Sequence, residues 1–346
     1  MDAVLKPVLA AFGLNPFQVS PLGGGLINDT YHVLDPGQTG VILQRVNTKV
    51  FQDPVALMEN LMKVLPVLEG PGYQKTELLK TPAGEAWVWQ PESGFWRAYR
   101  YIPNSRTYEN TTDPALAREA GRILGQFHNL LDGVPARELH TPLPGFHDLE
   151  KRARELQEAV SQGGTARKSQ AAPWLEVAGG LIDACREIPF DTFPLRVCHN
   201  DPVLKNILYR KDRPQALCLI DLDTLMPGVL IWDFGDAVRS VVCAYPEDYG
   251  GEGAMQPDLD AFAAFADGFL GSGVELTESE REWLPWGLIL MPLLHGIRAL
   301  ADYLAGDVYY KVSFPEQNLV RAKNLLELAR ASQEALPELY RRFSGA

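Results

Sequence analysis

Four cysteines in 346 residues, Cys185, Cys198, Cys218 and Cys243, stand 13, 20 and 25 positions apart with no Cys-x-x-Cys pair. The chain therefore lacks the ligand spacing of a structural zinc site and the density of a disulfide framework. Reduced cysteines in apolar runs suit a cytoplasmic protein. Basic charge is also in short supply: 32 Lys and Arg against 44 Asp and Glu leave a formal charge of −12. Nucleic acid and anionic membranes reward clustered Lys and Arg, so neither is expected as a partner. Long apolar runs are missing too. The longest, Trp286 to Leu294, is interrupted by Gly287 and Pro292 and is too short to span a bilayer. Met1-Asp2-Ala3-Val4-Leu5-Lys6 offers no basic region followed by a sustained apolar one, so no signal peptide is expected. No repeat or low-complexity segment is visible. At 346 residues with 46% hydrophobic and 22% charged residues, the composition is ordinary but the length exceeds one common core, so two lobes are expected.

One segment concentrates chemistry. Cys198-His199-Asn200-Asp201-Pro202-Val203-Leu204-Lys205-Asn206 is followed, fifteen residues after Asn206, by Asp221-Leu222-Asp223. Moving a γ-phosphoryl group to a hydroxyl needs a carboxylate to orient the acceptor and take its proton, and oxygen ligands to hold Mg²⁺ on the phosphates. Asp201 can do the first, Asn206 and Asp221 the second. Ile207 to Tyr209 and Ala216 to Ile220 read as strands around a polar turn, a hairpin that returns Asp221 to Asn206. Isolated Asp and Asn residues more often cap helices and shape turns. The grouping of His199, Asp201, Asn206, an apolar strand and an acidic pair is what favours a small-molecule kinase.

These residues resemble the Brenner-type motif of the aminoglycoside phosphotransferase and choline kinase superfamily, distant relatives of protein kinases, with Asn200 in place of the Arg of His-Arg-Asp. More narrowly, His199 to Pro202, Ile220 to Gly228 and Asp233 to Arg239 are similar to the N-acetylhexosamine 1-kinases, which phosphorylate the anomeric hydroxyl of N-acetylglucosamine and N-acetylgalactosamine. The resemblance implies an α+β, bilobal, protein-kinase-like fold. Residues 1–103 would form an antiparallel-sheet nucleotide lobe and 104–346 a mainly helical catalytic and acceptor lobe, with ATP and Mg²⁺ as cofactors and a small sugar as substrate. Asp233-Phe234-Gly235 copies the metal-binding triplet of protein kinases, but it lies thirty-two residues past Asp201, whereas Asp221 lies twenty past it, directly after a strand. Asp221 is therefore the expected metal ligand, Asp233 is similar to the superfamily acid that braces the catalytic loop, and His199 is likewise expected to support the site from behind. Asp223 is open between a second metal ligand, a sugar contact and a solvated turn acid.

Upstream, Val4-Leu5, Val8-Leu9 and Phe12 give a short helix ending near Gly13, and Val19 to Leu22, Asn28 to Val33 and Val41 to Val46 read as three strands. Gly23-Gly24-Gly25 between the first two could cover phosphates or be a plain flexible hairpin. The run through Asn28 partly resembles a kinase glycine-rich loop, and Asn28, Asp29 and Thr30 match the family pattern. Family kinases carry a cation on the third strand. This chain has no Lys there, so Arg45 is the candidate, with Glu59 of the following helix as its expected partner or else a solvated helix residue. Trp96 to Ile102 would end the small lobe, and Pro103-Asn104-Ser105 would be the hinge.

From Asp113 onward the pattern is helical, with His128 expected to be structural. Ser161 to Gln170, polar and glycine-containing, reads as a mobile loop or an acceptor lid. His295, Arg298 and Asp302 fall on one helix face. They could be a plain Arg298–Asp302 pair, but the stretch through Lys311 resembles the N-acetylhexosamine kinases where acceptor contacts are expected, which makes Arg298 a candidate sugar ligand. Choline, homoserine, methylthioribose or an aminoglycoside remain alternative acceptors, and a nucleotide-sensing pseudokinase or a protein kinase remain alternative classes.

Overall fold

A computed structural model describes residues 4–23, 27–34, 40–251 and 255–345. Helix α1 (Leu5–Ala11) precedes β1 (Gln18–Pro21), β2 (Asp29–Leu34) and β3 (Val41–Val46); α2 (Pro54–Val64), β4 (Trp87–Gln90) and β5 (Gly94–Arg100) follow. The five strands form one antiparallel sheet in the order β1-β2-β3-β5-β4. Alternation assigns its faces. Val33, Val41, Leu43, Trp96 and Ala98 pack on Leu5, Val8 and Leu9 of α1 and on Phe12 just past its end, a self-contained core behind the sheet. The opposite face carries Thr30, Gln44 and Arg97 in register across β2, β3 and β5. Helix α2 starts on Pro54, with Asp53 accepting from the Ala56 amide at 3.0 Å.

The chain leaves the sheet at residues 103–105, where Asn104 takes a left-handed φ of 54° and Ser105 donates to the Ile102 carbonyl at 2.6 Å. The second, larger part contains β6 (Ser105–Arg106), α3 (Pro114–Leu131), α4 (Leu149–Gln162), α5 (Thr165–Cys185), β7 (Arg196–Cys198), β8 (Ile207–Arg210), β9 (Ala216–Leu219) and β10 (Met226–Gly228). It ends with α6 (Leu230–Val241), α7 (Leu259–Gly271), α8 (Glu278–Trp283), α9 (Gly287–Ala305), α10 (Gln317–Glu334) and α11 (Leu336–Ser344). The architecture is α+β, a sheet lobe beside a mainly helical one. β8 and β9 form the expected hairpin, and β7 pairs with β10, so the two loops that carry Asp201 and Asp221 hang from neighbouring strand ends.

Two expectations are corrected here. Residues 161–170 do not form a long loop: α4 and α5 are separated only by Gly163 and Gly164. The polar residues sit on the helix, and Arg167 is tied to the Tyr303 carbonyl and to Asp307, contacts far away in sequence. Gly287 and Pro292 also fail to interrupt the apolar segment. Glu278–Ala305 is a 28-residue helical unit of mean hydropathy 1.4, long and apolar enough by length and composition to cross a membrane, but 78% of its most apolar window is buried inside the protein. Its apolarity is spent on packing. Gly287 and Gly235 let α9 meet α6 backbone to backbone, since a Cβ on Gly287 would lie 2.9 Å from the Gly235 Cα and one on Gly235 would lie 2.3 Å from the Gly287 carbonyl oxygen. The glycine of the Asp-Phe-Gly triplet is thus a helix-packing residue.

Candidate active site

The loop from His199 to Asn206 is held by its neighbours rather than by regular structure. Asn200 adopts φ 63°, a left-handed conformation that Asn tolerates better than most residues. Its amide nitrogen donates to the carbonyls of Cys198, Thr224 and Met226, stitching this loop to the one after Asp221. Asp233, fully buried at the start of α6, accepts the His199 amide at 2.8 Å and the Asn200 amide at 2.7 Å, and His128 approaches it to 3.0 Å. His199 bridges the two reactive segments: Nε2 donates to the Ile220 carbonyl at 2.9 Å while Nδ1 accepts the Asp201 amide at 3.3 Å. Burial lowers its pKa, in keeping with this neutral tautomer.

Asn206 donates through Nδ2 to the Asp201 carbonyl at 2.9 Å and carboxylate at 3.0 Å. The orientation leaves its Oδ1, a suitable hard oxygen, for a cation. The Ile220 amide donates to the Asn206 carbonyl at 2.9 Å, which brings Asp221 alongside. Asp221 is itself left-handed (φ 61°, ψ 53°) and opens to the cleft. Loss of hydration among the surrounding protein, together with the Asp223 carboxylate, pushes its pKa up to about 6 against the pull of Arg97 and Lys205. Asp201 is likewise raised well above the usual range, by burial first and then by the Asp236 carboxylate. Crowded, partly dehydrated carboxylates beside an amide oxygen fit a hard divalent cation, whose charge relieves the strain. Lys205, one residue before Asn206, lowers the pKa of both carboxylates and forms no ion pair among the described residues. It went unassigned in the sequence although it sits inside the motif.

The nucleotide side departs from expectation. Arg45 does not pair with Glu59: it is bound to Asp29 at 2.5 Å on the α1 face of the sheet, directed away from Asp221, and Glu59 meets His140 at 2.7 Å in solvent. The expected Arg45–Glu59 pair is therefore not formed, and Glu59 is the solvated helix residue of the alternative reading. Gln44, next to Arg45, is the position of β3 that faces the cleft, and Asn60, next to Glu59, is the buried polar position of α2, bonded to the backbone of His140 and Leu225. The cation on the cleft face is Arg97 of β5, 1% exposed, bonded to Gln44 Oε1 through Nε at 3.1 Å and Nη2 at 2.9 Å and ion-paired with Asp223. Asp223 is thus no solvated turn acid; it also accepts from Asn28 Nδ2 at 2.6 Å. Thr30 accepts from Gln44 at 3.2 Å. Gly23 is exposed at the turn before β2, and Gly24 and Gly25 lie outside the described residues.

On the far side of Asp201, His295 and Arg239 both engage Asp236, at 3.0 and 2.6 Å. Burial opposes the charge of Asp236, but Arg239 and His295 hold it well below the usual carboxylate range. The Arg298–Asp302 pair does not form. Asp302 instead accepts the amides of Val308, Tyr309 and Tyr310 and the Asn318 side chain, folding that loop back over α9. Arg298 lies between the rings of Phe146 (5.0 Å) and Tyr309 (5.9 Å), with no carboxylate partner among the described residues. His147, adjoining Phe146, bonds the Asn200 carbonyl at 2.9 Å, and burial drops its pKa to about 3, so it is neutral. A cavity of about 590 Å³ lined by Phe146, His147, Asn200 and Trp232 lies behind this loop and does not include Asp201.

A family model described as "Phosphotransferase enzyme family" (APH) matches residues 18–265. The chain belongs to this phosphotransferase family. The fold of this phosphotransferase is similar to that of the microcompartment-associated aminopropanol kinase (18% identity, TM-score 0.68, 97% of this chain and 98% of that one). It is also similar to spectinomycin phosphotransferase APH(9)-Ia, whose structure holds ADP and spectinomycin (14% identity, TM-score 0.64, 96% and 98%). Choline kinase LicA from Streptococcus pneumoniae is a third (14% identity, TM-score 0.59, 95% and 98%).

Proposed function

We propose that this phosphotransferase transfers the γ-phosphoryl group of ATP, as its Mg²⁺ complex, to the anomeric hydroxyl of an N-acetylhexosamine, giving the sugar 1-phosphate. The observation that carries the acceptor class is Arg298. A guanidinium between two aromatic rings, unpaired among the described residues and close to His295, which with Arg239 already engages Asp236, suits a neutral sugar with a carbonyl to receive its hydrogen bonds. A choline or aminoglycoside ammonium would meet repulsion there. Arg298 and the Phe146 and Tyr309 rings would hold the sugar, and Asp201 would orient its hydroxyl. Asn206 and Asp221 would hold Mg²⁺, which supplies charge neutralisation on the phosphates. As the new O–P bond forms and the bond to the β-phosphate oxygen breaks, Asp201 takes the hydroxyl proton and ADP leaves; Lys205 stands beside the shifting negative charge. An anomeric hydroxyl is more acidic than a common alcohol, so a carboxylate base is adequate. The lobe boundary falls at Pro103, and free thiols with ATP as donor support a cytoplasmic setting.

The test is kcat/KM for ADP release with N-acetylglucosamine, N-acetylgalactosamine, glucosamine, choline and homoserine. The reading expects an N-acetylated sugar to exceed the cationic acceptors by at least about a hundredfold, one good charge-assisted contact against one repulsion. Preference for choline or glucosamine would refute it.

A further inference from the structure

The cation of β3 and the acid of α2 that would align the two lobes are absent as a pair, because Arg45 and Glu59 are engaged elsewhere. A different buried ion pair crosses between the lobes. Arg97 of β5 and Asp223, which follows Asp221 by two residues, are 1% and 4% exposed in their side chains. Each end is anchored. Gln44 receives two bonds from Arg97 and passes one to Thr30. The second Asp223 oxygen accepts from Asn28, whose own Oδ1 accepts the Asn47 amide at 3.0 Å. One polar network therefore joins the start of β2, the end of β3, the middle of β5 and the loop that carries Asp221. Two buried charges cost several kcal/mol each to dehydrate and contribute little net stability when paired. What such a pair does supply is a unique geometry.

We propose that Arg97 is a positioning residue for the metal site, and that the Arg97–Asp223 pair is the inter-lobe latch that holds the Asp221 loop in its left-handed form. This inference rests on the reading that the chain binds Mg²⁺ with ATP. Among the described residues Asp221 makes no hydrogen bond or ion pair to the sheet lobe and feels it only through the charge of Arg97, so its aim at Asn206 depends on where Asp223 is held. Without the latch, Asp221 samples other orientations and metal affinity falls while the acceptor side, anchored on α9, is untouched.

The experiment compares wild type, Arg97→Lys, Arg97→Gln, Asp223→Asn and the double variant Arg97→Gln/Asp223→Asn. Readouts are melting temperature, Mn²⁺ affinity in the presence of ATP by water-proton relaxation, and KM for the acceptor. Either single neutral variant leaves a buried charge unpaired and is expected to melt lower; the double variant removes both charges and is expected to recover most of that loss. The latch predicts that the double variant nonetheless binds Mn²⁺ about tenfold or more weakly, the usual effect of removing support behind a metal ligand, with acceptor KM unchanged. It predicts that Arg97→Lys recovers part of the affinity. It predicts also that the double variant loses no more than the singles, as a coupled pair requires. Wild-type Mn²⁺ affinity in the double variant, or additive losses, would overturn the latch while leaving the kinase reading intact. Failure of wild type itself to bind Mn²⁺ with ATP would overturn both.

Discussion

Replacing Asp233 by alanine should damage the fold far more than replacing Asp221, although Asp233 opens the Asp-Phe-Gly triplet. Asp233 is inaccessible to solvent, and its two oxygens accept the amides of His199 and Asn200 at 2.8 and 2.7 Å. Alanine leaves two buried N–H groups without acceptors, at about 1–3 kcal/mol each, so the loss is about 4 kcal/mol, or about 6 °C in melting temperature for a chain of this length. Asparagine keeps one acceptor and should lose about half. Asp221 behaves oppositely. Its carboxyl is held at about 6 rather than 3.8, so its ionisation opposes folding: the penalty is absent below the ordinary carboxylate value and complete above pH 6. At neutral pH that is about 3 kcal/mol at face value, reduced to about 1 kcal/mol because the group opens to solvent and is screened. The metal-free Asp221→Asn variant should therefore melt at or slightly above wild type while losing Mg²⁺-dependent nucleotide binding. Thermal melts of the three variants with EDTA, and binding titrations with Mg·ATP, read both effects. If Asp233→Ala melts within about 2 °C of wild type, or Asp221→Asn melts well below it, the assignment of bracing and metal-facing acids is wrong.

Other outcomes follow from the same geometry. Because metal binding needs ionised Asp221, the Mg²⁺ concentration for half-maximal rate should be flat above pH 6 and rise about tenfold per unit below it; an unchanged requirement down to pH 5 would exclude Asp221 as the ligand. Arg298→Met should raise KM for the N-acetylated sugar about tenfold to a hundredfold, the worth of a charge-assisted hydrogen bond, with ATP KM unchanged in steady-state kinetics. Lys205→Ala should lower kcat on the order of tenfold to a hundredfold, as loss of one group facing developing charge does, and a normal single-turnover rate would refute that role. Arg45→Ala should leave ATP affinity within about twofold, since an exposed ion pair is worth about 0–1 kcal/mol; a large loss in calorimetric titration would return Arg45 to the phosphates.

That the candidate catalytic residues would meet was legible because the logic of that segment is local. His199 to Asn206, a short hairpin and Asp221 lie within 23 consecutive residues, and the apolar runs of β8 and β9 fix how they meet. The antiparallel sheet and the helical second lobe were equally readable from alternation and from apolar helical stripes, but the strand order β1-β2-β3-β5-β4 was not. What sequence could not settle was phase. Arg45 and Glu59 carry the right charges, but strand and helix geometry turn Gln44 and Asn60 inward instead, a one-residue difference that charge alone does not reveal. Arg97 was visible within its strand, yet its partner lies 126 positions away, and nothing in either neighbourhood announces the pairing. The segment 161–170 misled for a similar reason: its polar residues look like a loop until Arg167 finds Tyr303 and Asp307 across the fold.

The account rests most heavily on Asp201 accepting the proton of a sugar hydroxyl in a Mg²⁺-dependent transfer. Phosphorus NMR of the protein with Mg·ATP and N-acetylglucosamine or N-acetylgalactosamine tests it directly. The account predicts a new sugar 1-phosphate resonance that grows as ATP is consumed and is lost in Asp201→Asn, while that variant still binds nucleotide. No such resonance with either sugar, or its undiminished formation by Asp201→Asn, would contradict it.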